Sequence, residues 1–237
     1  MRLSRGDVEV EIGFAPLAVN VRRSGRRLVR DLSLRVFDGV AADQFVQWTE
    51  GVLPHEDRGD PVRPRSAHVA EPLADGARVG VRLDDGTAAE LVVTLPRPDQ
   101  VTLELDTQRP SLRLALAWAG HPEQRFTGLG ARHGVRVDQA GRVVQLGADR
   151  RYTGPECPPD MLDVGGIPQG DYAPVPWVCA SRGWAAWLET AGNGTVFELG
   201  DEVVVSARAA AGPLRLHLFC QPTPVARLRA YLHACRG

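Results

Sequence analysis

The sequence predicts an antiparallel β-sandwich that ends in a single helix. Three observations support this all-β class. Short runs of alternating apolar and polar residues recur along most of the chain, turn residues separate nearly all of them, and helical spacing of apolar residues is clear only at the end. A chain of 237 residues can bury a substantial core. We therefore expect one domain over residues 1–237, with a C-terminal linker helix at 224–236.

The first half of the chain contains the clearest strand patterns. Glycine-containing pairs, Ser24-Gly25 and Asp85-Gly86, mark two of the turns between them, and Asp-Gly between alternating runs favours a hairpin. Residues 53–66 are rich in Pro, Asp and Arg without periodicity, which predicts a surface loop. The predicted strands centre on Val8–Ile12, Leu17–Val21, Leu32–Val36, Val79–Leu83, Leu91–Leu95, Val101–Leu105 and Leu112–Leu116.

The second half continues the pattern and adds the helix. Thr223 can cap it, Pro224 suits its first position, and a stripe at helical spacing follows at Val225, Leu228, Leu232 and Cys235. The further predicted strands are Arg142–Leu146, Val175–Ala180, Trp184–Thr190, Thr195–Leu199, Glu202–Ala207 and Leu214–Phe219.

A long Pro-, Gly- and Asp-rich loop lies within the stretch from Arg125 to Glu189. A glycine turn precedes this loop, and two apolar strands joined at Ser181-Arg182-Gly183 follow it. Most loops in compact domains are much shorter, and long ones are either functional or disordered. Because strong strand patterns flank it on both sides, the sequence favours a functional loop.

Composition excludes several classes of function. The formal net charge is -1, which gives no electrostatic footprint for nucleic acid or an anionic membrane. The four cysteines form no C-x-x-C pair, and neither Cys nor His clusters at metal-ligand spacing, so we expect no metal and no cofactor. The sequence shows no signal-peptide pattern and no membrane-length apolar run, which predicts a cytoplasmic protein with reduced thiols.

Three short motifs are better explained by structure than by chemistry. Gly128-Leu129-Gly130 lacks the strand–glycine–helix context of a nucleotide site and predicts a tight turn. Ser181 lacks the G-x-S-x-G pattern of a nucleophile elbow, so the segment around it predicts a strand connection. His217 lies in an apolar strand, where a hydrogen-bonded core histidine is expected rather than a ligand.

The acidic residues of the long loop allow two interpretations. Carboxylates beside aromatic rings suit sugar recognition, since they accept hydrogen bonds from hydroxyl groups while the rings cover apolar C–H faces. A solvated loop with turn-forming aspartates is the alternative. Paired carboxylates can also hydrolyse glycosides, but the sequence places none at the end of a buried strand, so we expect no catalytic residue in this chain. The residues concerned are Asp149, Glu156, Asp160, Asp163 and Asp171, with Tyr152, Tyr172 and Trp177.

Several segments resemble the N-terminal β-sandwich domain of glycoside hydrolase family 31, the α-glucosidase and α-xylosidase family. RFTGLGAR at 125–132 is similar to the family's E-x-F-x-G-L-G-E-R segment, and YAPVPW at 172–177 to Y-x-x-I-P-F. SRGWAAWL at 181–188 is similar to its S-x-G-Y-G hairpin. Outside this stretch, 16–23 resembles the family's P-F-x-L-x-V-x-R strand, and 222–231 the T-P helix that leads into its catalytic barrel.

The chain departs from the family pattern at three positions of the central stretch. Ala131 replaces an acidic residue, Thr127 an aromatic one, and Ala148 an asparagine. These departures concern how the loop is anchored and not the expected fold.

The resemblance implies a galactose-mutarotase-like sandwich that packs on a catalytic (β/α)8 barrel. In the family both catalytic aspartates lie in that barrel, which is absent from this sequence, so the chain alone is expected to be inactive. The parent enzyme would hydrolyse α-linked glucosides or xylosides with retention. By the same resemblance, Asp163, Asp171 and Tyr172 would line a substrate subsite.

A domain of this kind should expose an apolar surface towards the barrel. The candidates for that surface are the helix stripe and three tryptophans, Trp177, Trp184 and Trp187, although we expect most of these residues in the buried core. Self-association through such a surface would give a homo-oligomer.

Two other functions remain open at this point. The chain could be a free-standing carbohydrate-binding module. It could also be an aldose 1-epimerase of related fold, which needs a positioned Glu base and His acid, and the sequence shows no convincing pair.

Overall fold

The computed structural model describes residues 1–37, 60–107, 113–132, 137–146, 171–173, 175–189, 195–208 and 212–236. In these ranges every strand pairing is antiparallel, and the strands form two large sheets and one small one. The predicted all-β sandwich with a C-terminal helix is confirmed. The strands are β1 (Arg2–Arg5), β2 (Val8–Phe14), β3 (Leu17–Arg23), β4 (Arg26–Phe37), β5 (Pro61–Val62), β6 (Pro64–Leu73), β7 (Gly76–Leu83), β8 (Ala88–Arg97), β9 (Gln100–Thr107), β10 (Arg113–Ala119), β11 (Phe126–Gly128), β12 (Ala131–Arg132), β13 (Arg142–Gln145), β14 (Asp171–Ala173), β15 (Trp177–Ala180), β16 (Ala185–Leu188), β17 (Val196–Leu199), β18 (Glu202–Arg208) and β19 (Leu214–Phe219).

Within the described ranges, the two large sheets contain nine and eight strands. The first has the order β1-β2-β3-β4-β10-β18-β17-β13, with β5 paired to β4. The second has the order β11-β15-β16-β19-β9-β8-β7-β6. A two-stranded sheet pairs β12 with β14. Because the order combines strands from the start, middle and end of the chain, each sheet is complete only when distant segments have met.

The core lies between the two large sheets. Alternate residues of β2 and β3 point inward and are fully or nearly fully buried, as their period-two pattern predicts. One apolar cluster draws side chains from both sheets, including Val10 of the first and Leu216 of the second. Trp118 and Trp184 meet edge to face inside it, with ring centroids 5.4 Å apart. The two sheets therefore share one core.

The turns follow the glycine signals of the sequence. Ser24 and Gly25 both have positive φ, 47° and 76°, the combination that matches the twist of paired strands. Gly86 also has positive φ and closes the hairpin of β7 and β8. Both predicted turns are confirmed.

Two parts of the sequence-based description are wrong. Residues 53–59 of the predicted loop 53–66 lie outside the described residues, and the remainder contains β5 and the start of β6 at Pro64. Strands β1, β6, β11, β12 and β14 were not predicted. In β6 most side chains are exposed, so its sequence carries no apolar alternation, and pairing with β7 forms the strand instead.

Helix α1 runs from Pro224 to Ala234 and packs on the outer face of the eight-stranded sheet. The Thr223 hydroxyl accepts a hydrogen bond from the Ala226 N–H at 3.2 Å, and Pro224 follows the cap, as predicted. Tyr231 lies against Trp177 and Trp187, with ring centroids 5.7 and 5.5 Å away. No helix in the described part of the chain is long and apolar enough to cross a membrane.

Candidate functional site

A left-handed turn follows β11 and leads towards the long loop. Gly128, Leu129 and Gly130 have φ of 121°, 67° and 87°. Leu129 is the unusual member, because a non-glycine residue in this region costs about 1–2 kcal/mol. Its side chain is fully buried in the shared core, and its N–H donates to the Trp177 carbonyl oxygen at 2.8 Å. Burial and this hydrogen bond offset the backbone cost and fix the turn against β15.

Gly128 lies so close to β15 that it leaves no room for a side chain. A Cβ added there would overlap the Trp177 carbonyl oxygen and come within 3.1 Å of the Trp177 ring. The glycine is therefore required by this close approach as well as by its φ.

The carboxylate of Asp138 anchors the start of β11. One carboxylate oxygen accepts from the N–H groups of Phe126 and Ala140, both at 3.0 Å. Partial burial raises the pKa of Asp138, but these two hydrogen bonds and the charge of Arg125 outweigh that effect, so its pKa lies below the ordinary value. Asp138 thus holds the strand that leads into the turn, and the hydrogen bond from Leu129 to Trp177 holds the turn itself.

The small sheet ties the end of the long loop to this turn. Ala131 pairs with Ala173 and Arg132 with Asp171, with a register shift between the two pairs. The backbone of Asp171 and Tyr172, two of the three residues predicted to line a subsite, therefore lies beside the glycine turn. Their side chains are outside the described part of the structure.

The other loop residues singled out from the sequence lie outside the described residues. They are Asp149, Tyr152, Glu156, Asp160 and Asp163. The predicted subsite of Asp163, Asp171 and Tyr172 therefore stays a prediction.

The segment around Ser181 is a strand connection, as predicted. It joins β15 to β16, with the Ala180 N–H donating to the Trp184 carbonyl oxygen at 2.9 Å. The Ser181 hydroxyl accepts from the Arg125 N–H at 3.1 Å, and the Ser181 N–H donates back to the Arg125 carbonyl oxygen. Its role is to hold β11 against the hairpin.

A Glu–His pair that the sequence did not reveal lies on the outer face of the eight-stranded sheet. His217 Nε2 is 2.9 Å from a carboxylate oxygen of Glu189, and Nδ1 is 3.0 Å from the Thr102 hydroxyl and 3.3 Å from the Gln100 amide nitrogen. The ring stacks on Trp187 at a centroid distance of 4.7 Å. Because a carboxylate only accepts, Nε2 carries the proton and Nδ1 accepts from the amide. The prediction of a satisfied, buried histidine is confirmed.

The electrostatics of this pair favour a neutral ring beside a charged carboxylate. Burial lowers the pKa of His217, and the contact with Glu189 offsets this only in part, so the pKa lies below the ordinary value. Partial burial raises the pKa of Glu189, but the hydrogen bond from His217 and the charge of Arg215 together lower it.

This pair is not arranged as the acid and base of a sugar epimerase. Such an enzyme needs a carboxylate and an imidazole that both face one substrate. Here both ring nitrogens of His217 contact protein groups, and the same carboxylate oxygen of Glu189 also lies 3.3 Å from Arg215. The register of β16 and β19 brings the pair together. Leu188 opposes Leu216, Glu189 directly follows Leu188, and His217 directly follows Leu216.

No metal site is evident in the part of the chain that the structure describes, where His, Cys, Asp and Glu form no group of three placed to hold an ion. The described cysteines are free thiols, with Cys179 and Cys220 buried and Cys235 exposed.

Comparison with solved structures identifies proteins that contain a similar fold. A GH31 family sulfoquinovosidase from E. rectale, solved with an aza-sugar inhibitor, aligns with 94% of this chain at a TM-score of 0.52 and 14% sequence identity. The fold is one that a GH31 enzyme contains. The chain spans only 32% of that enzyme's length.

Two other enzymes align over a similar share of the chain with TM-scores below 0.5, and they add nothing to the fold assignment. A GH31 α-xylosidase from a soil metagenome has 14% identity over 94% of this chain and 31% of its own, at a TM-score of 0.37. A cycloalternan-forming enzyme from Listeria monocytogenes has 9% identity over 98% of this chain and 25% of its own, at 0.42. No family model and no curated protein matches the sequence.

Proposed function

We propose that this chain is the N-terminal domain of a GH31 α-glycosidase. In that enzyme it packs on a catalytic (β/α)8 barrel and contributes its long loop to the substrate site. The observation that carries the proposal is the alignment of 94% of the chain with about a third of a GH31 sulfoquinovosidase. The motif resemblances at 125–132, 172–177 and 181–188 support the proposal separately, because they come from the sequence and not from the fold. They lie in and beside the strands that border the long loop.

In this proposal residues 1–237 form one sandwich domain and 224–236 its linker helix. The left-handed turn at 128–130 and the β12–β14 pairing support a loop whose return is fixed at one edge of the sandwich. Asp163, Asp171 and Tyr172 are the residues we assign to sugar binding. Free buried thiols fit a cytoplasmic setting.

The proposed reaction belongs to the whole enzyme and not to this chain. A retaining α-glycosidase uses one carboxylate as nucleophile and a second as acid/base. In the proposed parent both are aspartates of the barrel, acting on an α-linked glucoside or xyloside. The role of this domain is to shape the substrate site.

The reading frame downstream of Gly237 tests the proposal directly. We expect it to continue into a barrel that contains a W-x-D-M-N-E type segment. A stop codon after Gly237, or a different domain, would contradict the proposal.

Activity and binding assays on the pure 237-residue chain provide the second test. We expect no turnover of aryl α-glucosides or α-xylosides, and little heat on titration with maltose-series or xylose-bearing sugars. Turnover would show that the chain has its own catalytic groups, and clear affinity without a barrel would favour a free-standing carbohydrate-binding module.

A further inference from the structure

The contact between α1 and the sheet buries several polar atoms that have no hydrogen-bond partner. Eight such side-chain atoms occur in the described ranges, and four of them belong to Trp177, Gln221 and Arg227. Arg227 lies on α1, the Trp177 ring lies against Tyr231 of the same helix, and Gln221 precedes the helix cap. The other four atoms belong to four different residues. Unsatisfied polar atoms are therefore concentrated where α1 meets the sheet.

Arg227 is the most costly of these residues. Its side chain is 2% exposed, and its Nε and Nη1 atoms contact neither a hydrogen-bond partner nor water. It takes part in no ion pair within the described ranges, and α1 has no acidic residue of its own. Its contact with the Cys179 thiol offers only a weak acceptor. A charge buried in this way is less stable than a hydrated one, so hydration of Arg227 would favour a form in which α1 has left the sheet.

The contacts that hold α1 against the sheet are few. Two alanines, Ala230 and Ala234, and the partly exposed ring of Tyr231 pack on it. Two methyl groups and one ring bury little apolar area. A helix of eleven residues is also only marginally stable by itself in water. The inner face of α1 therefore provides only a small gain to offset the cost of the buried guanidinium group.

The sheet beneath α1 has its own reasons to stay folded. Strands β15, β16 and β19 are paired through their backbones, and their other face packs into the shared core. Cys179 lies on the outer face in the cluster that α1 covers and is 5% exposed, whereas Cys220 lies in the shared core and is fully buried. Departure of α1 would therefore uncover Cys179 and leave Cys220 buried.

We propose that α1 releases from the sheet while the sandwich stays folded. Release hydrates the Arg227 guanidinium group and uncovers a surface formed by Trp177, Trp187 and the Cys179 thiol. The released form is a minor population under native conditions. Because release exposes little surface, urea promotes it less than global unfolding, and the transition of the whole molecule stays single. Release is a property of the 237-residue chain itself and does not depend on the proposed function.

Thiol labelling of two single-cysteine proteins measures the release. One keeps Cys179 and carries Cys157→Ala, Cys220→Ala and Cys235→Ala, and the other keeps Cys220 and carries Cys179→Ala in place of Cys220→Ala. Each reacts with a chromogenic aromatic disulfide, and the rate relative to that of the urea-unfolded protein gives the fraction of time that the thiol is exposed. We expect this fraction to be at least about tenfold larger for Cys179 than for Cys220. Its dependence on urea should be weaker, and Cys220 should follow global unfolding.

Two arginine variants of the protein that keeps Cys179 test the cause of the release. Arg227→Met should slow labelling by about fivefold or more, because the docked helix no longer buries a charge. Arg229→Met, at an exposed site on the same helix, is the matched control and should leave the rate unchanged. Since Arg227 also contacts the Cys179 thiol, hydrogen exchange of the α1 backbone amides is measured in the same variants and should slow by a similar factor.

Three results would overturn the proposal. Equal exposed fractions for Cys179 and Cys220 would mean that only global unfolding frees α1. Faster labelling in Arg227→Met would mean that the guanidinium group holds the helix in place. Unchanged labelling together with unchanged amide exchange would mean that its burial has no effect on release. If Arg227→Met does not fold, the comparison of the two thiols still decides, because it requires no change in the helix.

Discussion

Single residues set the position of the turn that leads into the long loop, and Gly128 is the most constrained of them. We expect Gly128→Ala to destabilise the protein more than Gly141→Ala. Both glycines have positive φ, 121° and 77°, but a Cβ at Gly141 meets no atom within 4 Å, whereas at Gly128 it overlaps the Trp177 carbonyl oxygen. The control should cost about 1–2 kcal/mol in backbone strain. Gly128→Ala should cost about 1–3 kcal/mol beyond that through overpacking.

Urea denaturation of both variants measures this difference. Equal loss in the two proteins would mean that β15 shifts freely to admit the extra methyl group, and the turn would then not be fixed by steric contact.

His217 should give the protein a pH-dependent stability. Its pKa is lower in the folded protein than the ordinary 6.5, so the folded state binds fewer protons than the unfolded chain as the pH falls through 6.5. The stability that the neutral ring contributes is present above that pH and is lost towards the folded-state pKa. We expect wild type to lose stability between pH 7.5 and 5.5, and His217→Gln to lose less.

The comparison of denaturation midpoints in wild type and variant at each pH isolates this residue, because other histidines contribute equally to both. Parallel pH profiles would contradict the assignment. Glu189 contributes in the same sense but at lower pH, since its lowered pKa makes its contribution fall away below about 4.5.

At the scale of elements, α1 buries a guanidinium group without fully satisfying it. Arg227 is only 2% exposed, and its Nε and Nη1 atoms have no hydrogen-bond partner. Burial raises the pKa of the neighbouring Cys179 thiol, which the Arg227 charge and hydrogen bond counteract in part. A buried charge with incomplete hydrogen bonding opposes folding, and well-packed apolar replacements of such groups are often neutral or stabilising.

We therefore expect Arg227→Met to be neutral or to stabilise the protein by about 1–4 kcal/mol. Arg229→Met, on the exposed side of the same helix, should change stability by less than about 0.5 kcal/mol. Chemical denaturation of both proteins checks this. A strongly destabilised Arg227→Met protein would reveal that the guanidinium is satisfied by groups beyond those described.

The elements that could be predicted from sequence are those whose burial alternates. Strands β2, β3, β7, β8 and β9 each bury every second residue, and this period is visible in their letters. Strand β6 forms through its pairing with β7 and not through burial, so its sequence shows no alternation of apolar and polar residues. The helix was predicted from the apolar spacing of Val225, Leu228, Leu232 and Cys235. Its inner face packs on the sheet instead, where Tyr231 lies against the Trp177 and Trp187 rings.

The sequence could predict only those parts of the candidate site that are formed by residues close together in the chain. The glycine turn and the Ser181 connection are local and could be recognised from their residues. The Glu189–His217 contact depends on β16 lying next to β19, a pairing of segments about thirty residues apart that no local pattern specifies. The subsite role of Asp171 came from the family resemblance and stays a prediction, and the pairing of Asp171 opposite Arg132 depends on the same kind of non-local register.

At the scale of the whole molecule, the shared core predicts that residues 1–237 unfold as one unit. A single apolar cluster takes side chains from both large sheets, and α1 adds a smaller cluster on the outer face of one of them. A four-residue cluster of Phe37, Ala115, Ala117 and Val204 lies on the nine-stranded sheet, so in the described ranges each large sheet has only a small apolar cluster of its own. We expect far-UV circular dichroism and tryptophan fluorescence to give the same urea midpoint.

A variant can separate the two clusters in this measurement. The triple variant Trp48→Phe, Trp177→Phe, Trp187→Phe removes the two indoles beneath α1 and the one outside the described residues, so that the fluorescence comes from Trp118 and Trp184 in the shared core. If the molecule is one cooperative unit, the fluorescence midpoint of this variant still coincides with its circular dichroism midpoint. An early transition in wild type that the variant lacks would mean that α1 detaches before the sandwich unfolds, and 224–236 would then be a separate linker instead of part of the domain. Two well-separated transitions in both proteins would divide 1–237 between the sheets and contradict the single domain.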